Sequence, residues 1–179
     1  MPECPYMIWE SAFSQEDIIK IIAQGEALMP DKAVTFSGEN TEIRQSKVAW
    51  LSSNLGLRDQ LWDYILEANR QWGFDVRNYA DIQYTVYEGV DKGHYHWHSD
   101  VDWLAKIPSQ RKISLTVQLS DPNEYEGGDF QLQDAHLSPN YKMQGTVLAF
   151  PSYQYHMVHP VTSGVRRSLV AWFEGPSWR

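Results

Sequence analysis

Hydrophobic positions recur with helical spacing twice in the first third of the chain and with strand spacing from residue 82 onward. Ser14 followed by Asp17 makes a capping-box pattern, with Asp in the usual Glu/Gln place, and predicts a helix start. Behind it Ile18, Ile19, Ile21, Ile22 and Leu28 predict a helix with a broad apolar face. A second helix is predicted over 57–72, where Leu57, Leu61, Trp62, Ile65, Leu66 and Trp72 fall near the i, i+4, i+8 spacing. Gly73 stands where a terminal glycine stops it. Between the two helices, residues 44–51 (RQSKVAWL) predict one strand.

The runs 82–87, 112–119, 129–132, 145–150 and 168–173 are short and either apolar or alternating. Turn chemistry separates them: Asp121-Pro122-Asn123, Gly127-Gly128, Ser138-Pro139-Asn140 and Ser163-Gly164. Many short strands between turns predict a sandwich or barrel, and two preceding helices suit one outer face of a sheet. The expected class is mainly β with flanking helices, an α+β architecture. No repeat, low-complexity tract or linker-like stretch divides the 179 residues, so one domain is expected.

Composition narrows the class further. Hydrophobic residues are 42% and charged residues 21% of the chain, the balance of a globular protein. No apolar run approaches the ~20 residues of a membrane-spanning helix, and MPECPYMIWESAFSQ lacks a basic region followed by an apolar one. A cytoplasmic protein with no membrane partner is expected. Cys4 is the only cysteine, which excludes an intrachain disulfide and a cysteine zinc site. The net charge of −8 repels phosphate backbones, so no nucleic-acid partner is expected. Eight Trp and ten Tyr read chiefly as core rings, with a smaller share free to line a site.

Chemistry concentrates in GHYHWHSD. His94, His96 and His98 share one face if the segment is a regular strand, either as ligands or as a polar strip. Asp100 favours the ligand reading, because His-x-Asp on an extended segment projects an imidazole and a carboxylate toward one point. A two-His-one-carboxylate triad then needs a distant third ligand. His136, His156 and His159 are the candidates, and position at the end of a β run favours His156. About ten residues on, Arg166 enters an apolar strand (SLVAWF follows) and needs a buried anion. A dicarboxylate co-substrate meets that need through bidentate pairing.

In this order His98-x-Asp100, His156 and Arg166-x-Ser168 resemble the iron(II)- and 2-oxoglutarate-dependent dioxygenases, and among them the prolyl-hydroxylase-like branch. The phrases YEGVDKGHYHWHSD, ISLTVQLSDPNEYEGGDFQL and GTVLAFPSYQYHMVHPVTSGVRRSLVAWFEGP carry the resemblance over roughly residues 82–176. It implies a double-stranded β-helix, or jelly roll, as a catalytic core over 81–176, with 1–80 as a helical and strand support. It also implies Fe(II) on His98, Asp100 and His156, which leaves His159 as a neighbour. Arg166 is then the partner of the distal carboxylate of 2-oxoglutarate, assisted by Ser168, and Tyr87 and Tyr95 line the pocket. Some hypoxia-sensing relatives place a further tyrosine where this chain has Gln118, so the second partner of that carboxylate departs from their pattern. The implied reaction hydroxylates an unactivated C–H bond, with O2 and 2-oxoglutarate converted to succinate and CO2 and ascorbate supporting full activity. A peptidyl, prolyl-type residue is the expected substrate, with a free amino acid or small metabolite as the same-class competitor and a non-catalytic metal-binding jelly roll as the alternative from another class.

Other residues read more plainly. Asp100 excludes a halogenase, in which a small residue opens that position to chloride. Nucleic-acid demethylases of the superfamily carry a second arginine six residues after the first, where this chain has Trp172. Asp102 and Trp103 read as loop or rim, Gly127-Gly128 as a turn, and Arg44 as a surface charge at a strand end in preference to a residue facing the substrate mouth. Ser152 lacks the nucleophile elbow of a hydrolase.

Overall fold

The computed structural model describes residues 4–28, 31–32 (backbone only) and 40–178. Strand β1 (Met7–Trp9) leads into helix α1 (Gln15–Ala27), whose capping box is present as read. Ser14 Oγ accepts from the Asp17 amide at 3.2 Å, and the Asp17 carboxylate accepts from the Ser14 amide at 3.3 Å. Ile18 and Ile21 are buried, but Ile19 and Leu28 face solvent, so the apolar face is narrower than the isoleucine run predicts. After β2 (Asp31–Lys32) the strand predicted over 44–51 is in fact two: β3 (Arg44–Gln45) and β4 (Lys47–Trp50). Helix α2 (Leu55–Trp72) is capped by the Asn54 side chain, which accepts from the Leu57 amide. It ends on Gly73 at φ 65, a left-handed turn that glycine adopts without strain.

The β-rich remainder comprises β5 (Ala80–Glu88), β6 (His94–His98), β7 (Ser109–Gln118), β8 (Tyr125–Gly127), β9 (Phe130–Leu132), β10 (Val147–Pro151), β11 (His156–Val158) and β12 (Val161–Pro176). The larger antiparallel sheet runs β1-β10-β7-β12-β5-β4-β2, with β8 paired to the start of β12; the smaller runs β3-β6-β11-β9. Together they form the jelly-roll core. Of the chain's several passages from one sheet to the other, three lie together: at Ser46, across residues 89–93 and at His159-Pro160. These crossings adjoin: Lys47 pairs with Val86, Gln45 with His94, and the Val161 amide donates to the Gly93 carbonyl at 2.9 Å.

Strand alternation sorts the larger sheet's side chains into two layers. On one face Ile82, Tyr84 and Val86 of β5, Ile113, Leu115 and Val117 of β7, and Leu169, Ala171 and Phe173 of β12 pack under α1 and α2. On the other, Gln83, Thr85 and Tyr87, Ser114, Thr116 and Gln118, and Arg166, Ser168 and Trp172 are also buried. That inner face, closed over by the smaller sheet, is polar in the middle and apolar at Leu148 and Phe150, which cluster with Phe130 and Leu132 of the smaller sheet. Among the described residues, no helix is long and apolar enough to cross a membrane.

Helix α1 sits against β5 through Gly25, where a Cβ would lie 2.3 Å from the Tyr84 ring. The Tyr84 hydroxyl donates to Glu26 at 2.6 Å, and Arg167 Nε donates to the same carboxylate at 3.1 Å. The Tyr84 hydroxyl and Arg167 hold the Glu26 carboxyl below its ordinary range, against the opposing effect of partial burial. Gly25→Ala gains about 0.8–1.0 kcal/mol of helix propensity but overpacks Tyr84, which costs about 1–3 kcal/mol. We expect net destabilisation in urea unfolding; a raised midpoint would show that the helix has room to move away from the sheet.

Candidate metal centre

The local fold of β6 decides which histidine faces inward. Antiparallel pairing sets His156 opposite His98 but Val158 opposite Tyr95, so β6 holds one extra residue between those pairs. Such a β-bulge breaks the alternation and re-aims side chains. Tyr95 and His98, three positions apart, therefore stack with ring centroids 3.4 Å apart. The single face predicted for His94, His96 and His98 does not form. His96 is exposed, and His94 is held near the backbone carbonyls of Lys92 and Glu42.

His98, Asp100 and His156 converge with their ligand atoms within 4.8 Å of one another. His98 Nε2 lies 3.7 Å from Asp100 Oδ1, and His156 Nε2 lies 3.5 Å from Asp100 Oδ2. Each imidazole also has Nδ1 on a backbone carbonyl, that of His96 at 2.7 Å and that of Gln154 at 3.0 Å. A carbonyl only accepts, so Nδ1 bears the proton and the Nε2 lone pair points to the centre. Burial, reinforced by the neighbouring His156, pushes His98 down to about 3, so it stays neutral near pH 7. Burial opposes ionisation of Asp100, but His156, His98, Arg111 and the Ser114 hydroxyl outweigh it and hold the carboxyl below its ordinary range. Two lone pairs and an anion facing one point repel unless a cation lies between them. Adjacent ligands about 2.1 Å from an octahedral ion would sit about 3 Å apart, so modest closure of these separations completes the site. The donor set fits a metal of the two-His-one-carboxylate type.

A cavity of about 450 Å3, counting its open mouth, adjoins the triad. Its lining includes Tyr87, Tyr95, Arg166 and Ser168, so every residue singled out for metal or co-substrate reaches the same space. Arg166 is 2% exposed. Its Nη2 donates to Gln118 Oε1 at 2.9 Å, whereas Nη1 is buried with no partner. No acidic side chain pairs with it among the described residues. The Tyr87 ring centroid is 5.4 Å from the guanidinium carbon. A buried cation in this state is unfavourable until an anion arrives, and a carboxylate in the cavity is the fitting one. Tyr95 is pushed up to about 12, chiefly by burial, and remains a neutral phenol.

The other histidines lie apart. His159 Nε2 meets Gln131 Oε1 at 2.8 Å, and His136 is exposed. Arg44 corrects the surface reading: it is 7% exposed, lines the cavity, donates from Nη2 to Gln83 Oε1 at 2.7 Å and lies 4.5 Å from the Tyr95 ring centroid. The switch of sheets at Ser46 turns its side chain inward. Gln83, Thr116, Phe130, Phe150 and Trp172 also line the cavity without having been singled out as site residues. Trp172 Nε1 is a second buried donor without a partner. Trp103 is exposed, and Asp102 Oδ1 accepts from the Leu104 and Ala105 amides, as suits a loop.

Comparison with known proteins agrees with this geometry. A family model described as the 2OG-Fe(II) oxygenase superfamily matches residues 82–174. A PKHD-type hydroxylase of Prochlorococcus marinus is 29% identical over 133 residues, 73% of this chain and 56% of its own length. The chain thus spans about half the length of the curated relatives it matches. Among solved structures, the viral collagen prolyl hydroxylase of Paramecium Bursaria Chlorella virus-1 superposes with a TM-score of 0.71 at 19% identity, covering 97% of both chains. A prolyl hydroxylase from Trichoplax adhaerens, in complex with a hypoxia inducible factor peptide fragment, gives 0.72 at 14% identity, covering 94% of this chain and 83% of that one. At these identities the structural likeness speaks to the fold.

Proposed function

Since the chain belongs to the 2OG-Fe(II) oxygenase superfamily, we propose that it hydroxylates an unactivated C–H bond, with His98, Asp100 and His156 holding Fe(II) and Arg166 anchoring 2-oxoglutarate. The observation that carries this reading is the buried, half-satisfied Arg166 guanidinium in the same cavity as three converging donors. Bound iron supplies the activation of O2, coupled to conversion of 2-oxoglutarate to succinate and CO2.

The chain's own residues position and shield. Neutral His98 offers Nε2 without first losing a proton, and Asp100 is ionised, so the site is ready for a cation near pH 7. Arg166 draws the distal carboxylate to the inner end of the cavity, with Gln118 and Ser168 beside it on neighbouring strands. Phe130, Phe150 and Val158 exclude water and lower the local dielectric, which strengthens that ion pair. Tyr87 and Tyr95 form aromatic walls of the cavity, and burial keeps Tyr95 a neutral phenol.

The substrate we propose is a peptidyl, prolyl-type residue. Prolyl hydroxylases of the same fold, one of them in complex with a peptide fragment, support this choice. The lone Cys4 and the iron requirement suit a reducing, cytoplasmic setting. Succinate release in the presence of Fe(II), ascorbate and 2-oxoglutarate tests the activity. Proline-containing peptides should gain one oxygen by mass spectrometry, whereas oxygen gain only on free amino acids would move the substrate to a small metabolite. No succinate and no 2-oxoglutarate binding by calorimetry would leave a non-catalytic jelly roll.

A further inference from the structure

Behind Asp100 lie two serines that the proposed reaction does not use. Ser114, on β7, and Ser152, just after β10, have no exposed surface. Ser114 Oγ is 2.6 Å from Asp100 Oδ2 and 2.9 Å from Ser152 Oγ, and the Asp100 amide donates to the Ser152 carbonyl at 2.9 Å. A hydroxyl has one proton to give, and an ionised carboxylate only accepts. Ser114 therefore donates to Oδ2, and Ser152 must donate to Ser114. The result is an ordered relay, Ser152 to Ser114 to Asp100, sealed from water. It takes up a lone pair of Oδ2, which lies 3.5 Å from His156 Nε2, while Oδ1 lies 3.7 Å from His98 Nε2.

A carboxylate can bind a cation through one oxygen or chelate it through both. We propose that the Ser114 hydroxyl makes Asp100 a one-oxygen ligand and so preserves a coordination position that a chelating carboxylate would fill. The inference rests on the metal reading above. With two imidazoles and one carboxylate oxygen, an octahedral ion keeps three open positions; with a chelating Asp100 it keeps two. Ser114 is a positioning residue, acting on the metal through Asp100. Outer partners of metal ligands commonly set ligand orientation in this way.

Mn(II) bound to the full chain without co-substrate provides the test, because oxygen-17-labelled water broadens its electron paramagnetic resonance lines in proportion to the waters bound. Three waters are expected for the parent chain and for Ser114→Thr, which keeps the hydroxyl. Two are expected for Ser114→Ala and for Ser114→Val. The Thr and Val variants match in shape and both suit a strand, so their comparison stands even if the Ala variant does not fold. Three waters in the Ala or Val variant would overturn the inference while leaving the metal reading intact. Failure of the parent chain to bind Mn(II) would remove both. A general packing role for Ser114 would not change the water count.

Discussion

His156→Ala is expected to abolish Fe(II) binding, while His159→Ala leaves it unchanged. The two imidazoles are three residues apart in HMVH, and position in the sequence separates them only weakly. Strand geometry separates them clearly. His156 and Val158 face the cavity, whereas His159 lies beyond β11 with its Nε2 on Gln131. Among the described residues His156 is one of three donors in the cluster, and no fourth His, Cys, Asp or Glu joins them to take its place. The loss should exceed the roughly 10–100-fold drop typical of removing an outer partner of a ligand. Calorimetric titration of the metal-free protein with Fe(II) under anaerobic conditions reads it directly. Retained binding in His156→Ala together with loss in His159→Ala would exchange the two assignments.

Arg166→Met is expected to weaken 2-oxoglutarate binding by about two to three and a half orders of magnitude. Removing one partner of a buried ion pair costs about 3–5 kcal/mol, and each 1.4 kcal/mol or so is tenfold in affinity. Calorimetry on the Mn(II)-loaded protein measures the change. The same substitution should act in the opposite sense on the ligand-free chain. There the guanidinium is desolvated, with Nη1 unpartnered, so a linear apolar side chain relieves a penalty and should raise the unfolding midpoint. Arg166→Lys should recover only part of the affinity, because an ammonium is a point charge without the planar fork. Equal affinity in all three proteins would place the co-substrate carboxylate elsewhere.

The features most legible in the sequence were those held by neighbouring residues. The Ser14–Asp17 cap, the Gly73 stop and the His98-x-Asp100 pair each depend on local spacing, and each is found in the fold. Features that depend on how sheets meet were not legible. Ser114, Thr116 and Gln118 alternate with Ile113, Leu115 and Val117, a pattern that ordinarily marks one face as solvated. Here a second sheet covers that face and the polar row is buried: Thr116 lines the cavity, Ser114 backs Asp100 and Gln118 accepts from Arg166. Arg44 shares the same cause, since nothing in RQSKVAWL announces that the backbone leaves one sheet for the other at Ser46. The bulge in β6 was hidden for a different reason. It exists only relative to β11, some sixty residues away, and a single strand read alone shows perfect periodicity.

The three adjoining crossings at Ser46, residues 89–93 and His159-Pro160 bind the two walls of the cleft like the spine of a book. A second pair of passages, residues 99–108 between β6 and β7 and residues 152–155 between β10 and β11, ties the same walls beside His98 and His156. Stitched by covalent chain at both ends, the two leaves cannot swing apart as rigid boards, so room for a guest has to come from side chains and loops at the rim.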